Sequence, residues 1–275
     1  MKKIAHKKNN KKADETSAKQ ANEAREHSAK KTTKKTSPWH ILLNVIGIVI
    51  WVAVVLTAVE YAVSYSLYFL LGRELILTPV WMTVCNATIY ALTLFLTIWI
   101  PVKFFKKKRP TREELGIKGL PTWSDIGLAP VGFVVYLILA MILVALFQFL
   151  PFFDPEQTQE LGYEALNNGF NRVVAFFALC IVAPVAEELI FRGWLYAKLR
   201  TIIPGKHLSL FLSILIVSIF FGIMHGQWNV GVNVFAMSIV LCALREITGT
   251  VYSGIILHVI KNTVAFVLLY IIGFH

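Results

Sequence analysis

Two adjacent glutamates and an arginine interrupt the apolar stretch 173–194. An ionisable side chain in a lipid-buried helix costs at least about 2.5–3.5 kcal/mol, so such residues usually mark a site or a buried ion pair. Arg192 follows Glu188 by one helical turn, and the two can therefore pair. Glu187 projects about 100° away around the helix and keeps an environment of its own. The pattern predicts either a general base at Glu187 or a purely structural Glu-Glu-Arg cluster that joins helices.

Histidines with helically spaced partners stand at the apolar ends of two later stretches. Phe221 and His225 are four residues apart, as are His258 and Asn262, so each pair shares one helix face. A single buried histidine is commonly a core residue. A glutamate, two histidines and an amide together, however, are the groups needed to activate a water molecule and hold an oxyanion. The combination predicts a hydrolytic site assembled from three helices.

Glu187, His225 and His258 are also residue types that bind zinc. The compact HExxH spacing of many zinc hydrolases is absent from the chain, so a metal site would have to be assembled from separate helices. A metal-free site and a site that holds a divalent metal such as zinc both stay open at this point. These three side chains are the expected ligands in the second case.

The composition predicts that helices in a membrane position these groups. Of the 275 residues, 56% are hydrophobic and only 16% are charged, whereas soluble domains carry about 25% charged residues. This excludes a soluble globular enzyme, a disordered protein and a disulfide-stapled secreted protein. A membrane-spanning helix needs about 20 mostly apolar residues, and seven stretches qualify, within a range of six to eight. The fold class is therefore an all-α polytopic transmembrane bundle with expected spans at 39–71, 79–102, 128–150, 173–194, 208–225, 230–244 and 251–272.

The net charge of +11 is concentrated in residues 1–37, which hold eleven lysines and one arginine against four acids. This segment has few large apolar residues, so we expect a disordered basic cytoplasmic tail. Anionic lipid headgroups are its expected partner, and the restriction of the charge to a tail argues against a nucleic-acid partner. Residues 38–170 are then expected to form N-terminal transmembrane helices with a basic loop, and residues 171–275 a catalytic transmembrane core.

Loop charges predict the orientation in the membrane. The loop 103–127 is rich in lysine and arginine, whereas the loop 151–169 contains four acidic residues and no lysine or arginine. Because basic loops stay cytoplasmic, seven spans place the N-terminus in the cytoplasm, with the cell membrane as the expected location. The expected boundaries put Glu187 and His258 toward the cytoplasmic side and His225 near the outer end of its span. The Glu187, His225 and His258 side chains can then meet only if the fourth span runs deeper into the membrane or the fifth span begins later.

Other residues in the spans are interpreted as structural. Glu60, late in the first span, is expected at the membrane interface rather than in a site. The three cysteines are expected to be small apolar core residues. Four glycines beside the motifs are expected to let helices approach closely: Gly222, Gly226, Gly249 and Gly254.

The three motifs, in this order and on successive apolar stretches, resemble the CPBP family. This is the CAAX prenyl endopeptidase and bacteriocin-processing (Abi) group of intramembrane proteases, and the resemblance covers about residues 173–272. The family is described both as metalloproteases and as metal-free glutamate proteases, so the resemblance leaves the metal question open. By position, the resemblance implies that Glu187 and His225 activate the water molecule and that His258 and Asn262 bind the oxyanion. It implies a supporting role for Glu188, Arg192 and Phe221.

The leading hypothesis is therefore an intramembrane endopeptidase. Its substrate is expected to be a membrane-associated protein or hydrophobic peptide, CAAX-like in kind, cleaved near its C-terminus. The alternative is a non-catalytic membrane protein with the same fold, such as a bacteriocin-immunity protein or a scaffold. A transporter or channel is disfavoured, because no repeat of the spans is visible in the hydropathy pattern.

Overall fold

The computed structural model describes residues 37–151, 153–154, 166 and 169–273. Seven helices in this part of the chain are long and apolar enough to cross a membrane, which confirms the predicted all-α class and the number of spans. No strand occurs among the described residues. The spans are α1 (Pro38–Leu71), α2 (Pro79–Phe104), α3 (Trp123–Phe147), α4 (Gly169–Ile202), α5 (Lys206–Ile223), α6 (Trp228–Thr248) and α7 (Tyr252–Ile272).

The chain divides into two compact units, Met1–Leu43 and Asn44–His275. The second unit contains the larger part of α1 and all of α2–α7. The predicted disordered tail, apart from Ser37, lies outside the described residues, as do three of the four acids in the loop before α4.

Local sequence signals mark where two of the helices begin. A capping box opens α3, in which the Thr122 hydroxyl accepts from the Asp125 N–H and the Asp125 carboxylate accepts from the Thr122 N–H. Pro79 opens α2, where its missing N–H costs no hydrogen bond. Both signals are readable in the sequence. α2 begins at Pro79 as the hydropathy pattern predicted, whereas the capping box starts α3 at Trp123, before the predicted start at residue 128.

α4 differs from the other spans because its hydrogen-bond ladder widens twice. π-helical segments at Phe177–Val182 and Leu189–Tyr196 flank one α-helical stretch, Ala183–Glu188, that carries the two glutamates. The first widening has a chemical cause: Pro184 lacks an N–H, and its ring would clash with the carbonyl four residues earlier in a regular helix. The wider turn relieves that clash. π-helical turns occur frequently at functional sites.

Glycines allow close contacts at two of the four predicted positions. A Cβ on Gly222 of α5 would lie 2.9 Å from the backbone oxygen of Gly231 on α6. A Cβ on Gly254 of α7 would lie 2.9 Å from Oε2 of Glu188 on α4. Side chains at these two positions would therefore push α5 from α6 and α7 from the Glu188 carboxylate.

The prediction of close helix approach was wrong for Gly226 and Gly249. Both have a φ of 69°, a left-handed conformation that glycine adopts without strain. Gly249 ends α6, and Gly226 lies in the turn that joins α5 to α6. Their physical role is to let the chain turn, which matters because the α5–α6 turn carries His225.

Candidate active site

Glu187 lies near the middle of α4, because that helix continues to Ile202 rather than ending at Trp194 as the hydropathy pattern predicted. The extra eight residues extend the helix by about 12 Å. The boundaries predicted from the sequence left Glu187 and His225 toward opposite ends of their spans. In the structure the two side chains line one cavity.

Glu188 and Arg192 form an ion pair that is fully buried. Arg192 Nη1 donates to Glu188 Oε1 at 2.8 Å, and neither side chain is exposed. The guanidinium carbon also lies 4.5 Å from the centroid of the Phe221 ring on α5, a cation–π contact. The pair therefore neutralises one of the two adjacent carboxylates and ties α4 to α5.

His258 stands between the two glutamates. Its Nδ1 lies 3.3 Å from Glu188 Oε1, and its Nε2 lies 3.8 Å from Glu187 Oε2. The ring is buried with 3% of its surface exposed. Because the paired carboxylate of Glu188 accepts hydrogen bonds only, Nδ1 carries a proton in this contact. The other nitrogen, Nε2, is left toward Glu187.

His225 lies outside the spans, in the turn between α5 and α6. Its Nδ1 contacts the backbone oxygen of Phe221 at 2.8 Å, and the two rings meet edge to face with centroids 4.8 Å apart. A carbonyl oxygen can only accept, so Nδ1 carries the proton and the neutral ring has its lone pair on Nε2. Burial lowers the pKa of the His225 imidazole, and the Glu187 carboxylate opposes that shift. The side chain is thus a candidate proton acceptor.

Asn262 donates from Nδ2 to the backbone oxygen of Leu179 at 2.8 Å. The π-helical ladder of α4 explains this contact. The Ala183 N–H bonds to the carbonyl of Ala178, five residues back, and the next residue, Pro184, has no N–H to offer Leu179. The side chain from α7 supplies the missing donor. One of the two amide N–H groups of Asn262 is therefore used structurally, and the second is left for a ligand.

A cavity of about 690 Å³ brings the predicted residues together. That volume falls in the range of about 300–1,000 Å³ that is typical of small-molecule sites. Glu188 and Arg192 lie behind its wall and are not part of the lining. The predicted residues that line the cavity are Glu187, Phe221, His225, His258 and Asn262.

Tyr90 is the clearest residue that the sequence did not reveal. Its hydroxyl donates to Glu187 Oε1 at 2.6 Å, across 97 positions of the chain. Tyrosines are common in membrane helices, so no sequence signal marked this one. Tyr136 and Asn233 also line the cavity, and the Tyr136 hydroxyl donates to Asn233 Oδ1 at 2.6 Å.

Two charged residues also line the cavity without having been predicted in the site. Glu60 of α1 is exposed and forms part of the wall, so its assignment to the interface alone missed this position. Lys261 of α7 is close enough to interact electrostatically with Glu187. The signal that could have revealed them is their placement within apolar spans, where charge is costly.

No metal centre is recognisable in the part of the chain that the structure describes, although glutamate and histidine are residue types that suit zinc. Among the described residues, no group of three or more histidine, cysteine, aspartate and glutamate side chains is arranged to hold a metal ion. This includes the three expected ligands, Glu187, His225 and His258. His225 directs one nitrogen to a backbone carbonyl and His258 directs one to Glu188, as metal-ligating histidines often do. The other nitrogen of His258 lies 3.8 Å from Glu187 Oε2.

Comparison with protein families matches residues 169–264 to the family described as type II CAAX prenyl endopeptidase Rce1-like. The match confirms the family resemblance that the three motifs indicated. α1, α2 and α3 lie outside the matched segment, and so does Tyr90. Neither the curated proteins nor the solved structures that were compared with the chain gave a match.

Proposed function

We propose that this chain, which carries a domain of the type II CAAX prenyl endopeptidase Rce1-like family over residues 169–264, is a glutamate-dependent intramembrane endopeptidase. Its substrate is a membrane-associated protein or hydrophobic peptide, cleaved near the C-terminus. The observation that carries the proposal is that Glu187, His225, His258 and Asn262, from three separate parts of the matched domain, line one cavity.

Glu187 supplies the base for the first step. Its Oε2 accepts a proton from water as the water oxygen attacks the carbonyl carbon of the scissile peptide bond. His225 assists, because its Nδ1–H is engaged by the Phe221 carbonyl and its Nε2 accepts a hydrogen bond from the same water. The carbonyl oxygen takes up the negative charge and the C–N bond stays intact at this stage.

His258 and Asn262 bind the oxyanion of the tetrahedral intermediate. His258 donates from Nε2 when the ring carries both protons, with its Nδ1–H held by Glu188. Asn262 donates from the N–H that Leu179 does not use. In a cavity with little competing water such donors stabilise charge more strongly than they do in solution.

The proton on Glu187 then returns to the leaving nitrogen. The C–N bond breaks and the C=O bond forms again, which leaves a carboxylic acid on one fragment and an amine on the other. The acid then releases its proton to the amine or to water. Glu188 and Arg192 take no part in proton transfer in this scheme. Because they neutralise each other at 2.8 Å, they hold His258 without adding net charge beside the base.

The orientation of the protein follows from the loop charges. We place the N-terminus and the basic loop between α2 and α3 in the cytoplasm, because Lys106, Lys107, Lys108 and Arg109 are all exposed directly after α2. Anionic headgroups are the proposed partner of the basic N-terminal tail. The cavity then takes its substrate from the membrane in which the seven helices lie.

The test is cleavage of a fluorescent reporter peptide by the full-length protein in lipid nanodiscs. Prenylated and unprenylated hydrophobic reporters are compared. Glu187→Gln and His225→Ala are expected to lower turnover by about 10²- to 10⁴-fold, the usual contribution of a general base. Glu74→Gln, the same chemical change at an exposed position outside the cavity, is the matched control and should retain wild-type turnover.

The outcomes separate the competing functions. Turnover that survives Glu187→Gln contradicts the proposal. If the folded wild type cleaves no reporter and Glu187→Gln protects cells from a bacteriocin as well as the wild type does, the protein is a non-catalytic member of the family. Each reaction is also run with a chelator, because loss of turnover on chelation would assign water activation to a metal ion rather than to Glu187 alone.

A further inference from the structure

Tyr90 contacts the candidate site although it lies outside the matched family domain. It is half-buried on α2, and its hydroxyl donates to Glu187 Oε1 at 2.6 Å. Tyr90 also lines the cavity that contains Glu187.

We infer that Tyr90 is a positioning residue for Glu187, an inference that rests on the proposed function. The two carboxylate oxygens of Glu187 have different neighbours. Oε1 is held by Tyr90, whereas Oε2 lies 3.8 Å from His258 Nε2, which is longer than a hydrogen bond. Tyr90 thus occupies one oxygen and leaves the other to accept the proton of the attacking water.

The physical reason is that a glutamate carboxylate rotates easily about its terminal torsion, which has broad, roughly two-fold preferences. A base that rotates freely spends little time aligned with the water and the scissile carbonyl. The phenol is rigid and comes from a different helix, so a short hydrogen bond from it fixes the plane of the carboxylate. Hydrogen bonds to charged acceptors are about twice as strong as neutral ones.

The position of Tyr90 also links the base to the N-terminal half of the protein. Glu187 lies on α4, and Tyr90 lies on α2, which packs against α4 at both its regular and its widened segments. A movement of α2 relative to α4 would break the bond and leave the carboxylate free to rotate. The matched domain is therefore not sufficient by itself to hold the base in its working orientation.

The experiment is steady-state kinetics of Tyr90→Phe in nanodiscs, which removes only the hydroxyl. We expect kcat to fall by about 10- to 100-fold, the loss that corresponds to one hydrogen bond to a charged group. KM should stay within about two-fold of wild type, because a change in base alignment acts on the chemical step.

Tyr196→Phe is the matched control. The Tyr196 hydroxyl donates to Glu246 Oε2 at 2.8 Å, the same type of bond, but neither residue lines the active cavity. This variant reports the general cost of losing a tyrosine–carboxylate bond and should leave kcat unchanged. Thermal unfolding of both variants is measured in the same nanodiscs, to separate loss of alignment from loss of fold.

The outcomes distinguish this inference from the proposed function. If Glu187→Gln is inactive while Tyr90→Phe keeps wild-type kcat, the inference is overturned and the endopeptidase stands. If Tyr90→Phe raises KM and leaves kcat unchanged, Tyr90 contacts substrate rather than aligning the base, which also overturns it. A selective loss of kcat in a variant that unfolds at the wild-type temperature supports it.

Discussion

Replacing Arg192 by methionine tests whether the buried ion pair supports the site or performs the chemistry. Arg192 and Glu188 are both fully buried, and their contact is 2.8 Å. Methionine keeps much of the length of the side chain and its packing against Phe221, but removes the positive charge. The Glu188 carboxylate is then left buried without its partner, beside His258.

The structure sets the size of the expected effect. Removing one partner of a buried ion pair costs about 3–5 kcal/mol, because the remaining charge is not compensated. Adding Glu188→Gln removes that charge while keeping an acceptor for His258, so the double variant should regain at least half of the lost free energy of unfolding. The partly exposed pair Arg200–Glu246, at 2.7 Å with side chains 21% and 35% exposed, is the comparison. Arg200→Met should cost less free energy of unfolding than Arg192→Met, because water reaches the remaining Glu246 carboxylate.

The assay is reversible unfolding in mixed micelles, followed by the loss of helical circular dichroism as SDS is added. Reporter cleavage is measured on the same samples. Arg192→Met should lower both stability and turnover, whereas Glu187→Gln should lower turnover and leave the free energy of unfolding close to wild type. This contrast would assign the activation of water to Glu187 and a structural role to the Glu188–Arg192 ion pair.

Two results would refute this reasoning. If Arg192→Met costs no more than Arg200→Met, the pair does not carry an uncompensated charge when it is broken. If Glu187→Gln destabilises the protein as much as Arg192→Met does, the three charged residues form a single structural cluster. In that case no separate base remains on α4.

Two further substitutions test the packing around the site. Asn262→Ala should lower the free energy of unfolding by about 1–3 kcal/mol, because it leaves a buried α4 carbonyl without a donor. Adding Pro184→Ala supplies a backbone N–H, so it should restore stability in SDS unfolding but not reporter cleavage. Recovery of both would show that Asn262 does not bind the oxyanion. Gly222→Ala places a Cβ 2.9 Å from the backbone oxygen of Gly231 and should cost about 1–3 kcal/mol and reduce turnover. Gly47→Ala, with no heavy atom of the described chain within 4 Å of its Cβ, should be neutral in both assays.

Features that depend on one helix were predictable from the sequence. Hydropathy over about 20 residues decides whether a segment enters the membrane, and all seven spans were found in this way. A spacing of four residues likewise indicated two contacts that the structure contains. One is the ion pair of Glu188 with Arg192 on α4, and the other is the ring contact of Phe221, near the end of α5, with His225 in the following turn. A period of 3.6 residues fixes which side chains of a helix are neighbours.

Features that depend on two helices were not predictable in the same way. The sequence marked Asn262 as a polar residue in a span, but not its bond to a carbonyl that Pro184 leaves without a donor. It gave no reason to connect Tyr90 with Glu187. Gly226 and Gly249 stood beside the motifs like Gly222 and Gly254, yet they shape turns rather than contacts.

The sequence by itself therefore determined that this is a polytopic helical membrane protein, and it marked the residues of a candidate site. The tertiary structure alone decided that Glu187 and His225 line one cavity, and that α2 supplies a hydroxyl to the Glu187 carboxylate. The physical reason is that lipid tails and apolar side chains are equally good neighbours for a hydrophobic helix. Hydropathy sets which segments are buried in the membrane, while their depth, rotation and partners follow from packing between helices.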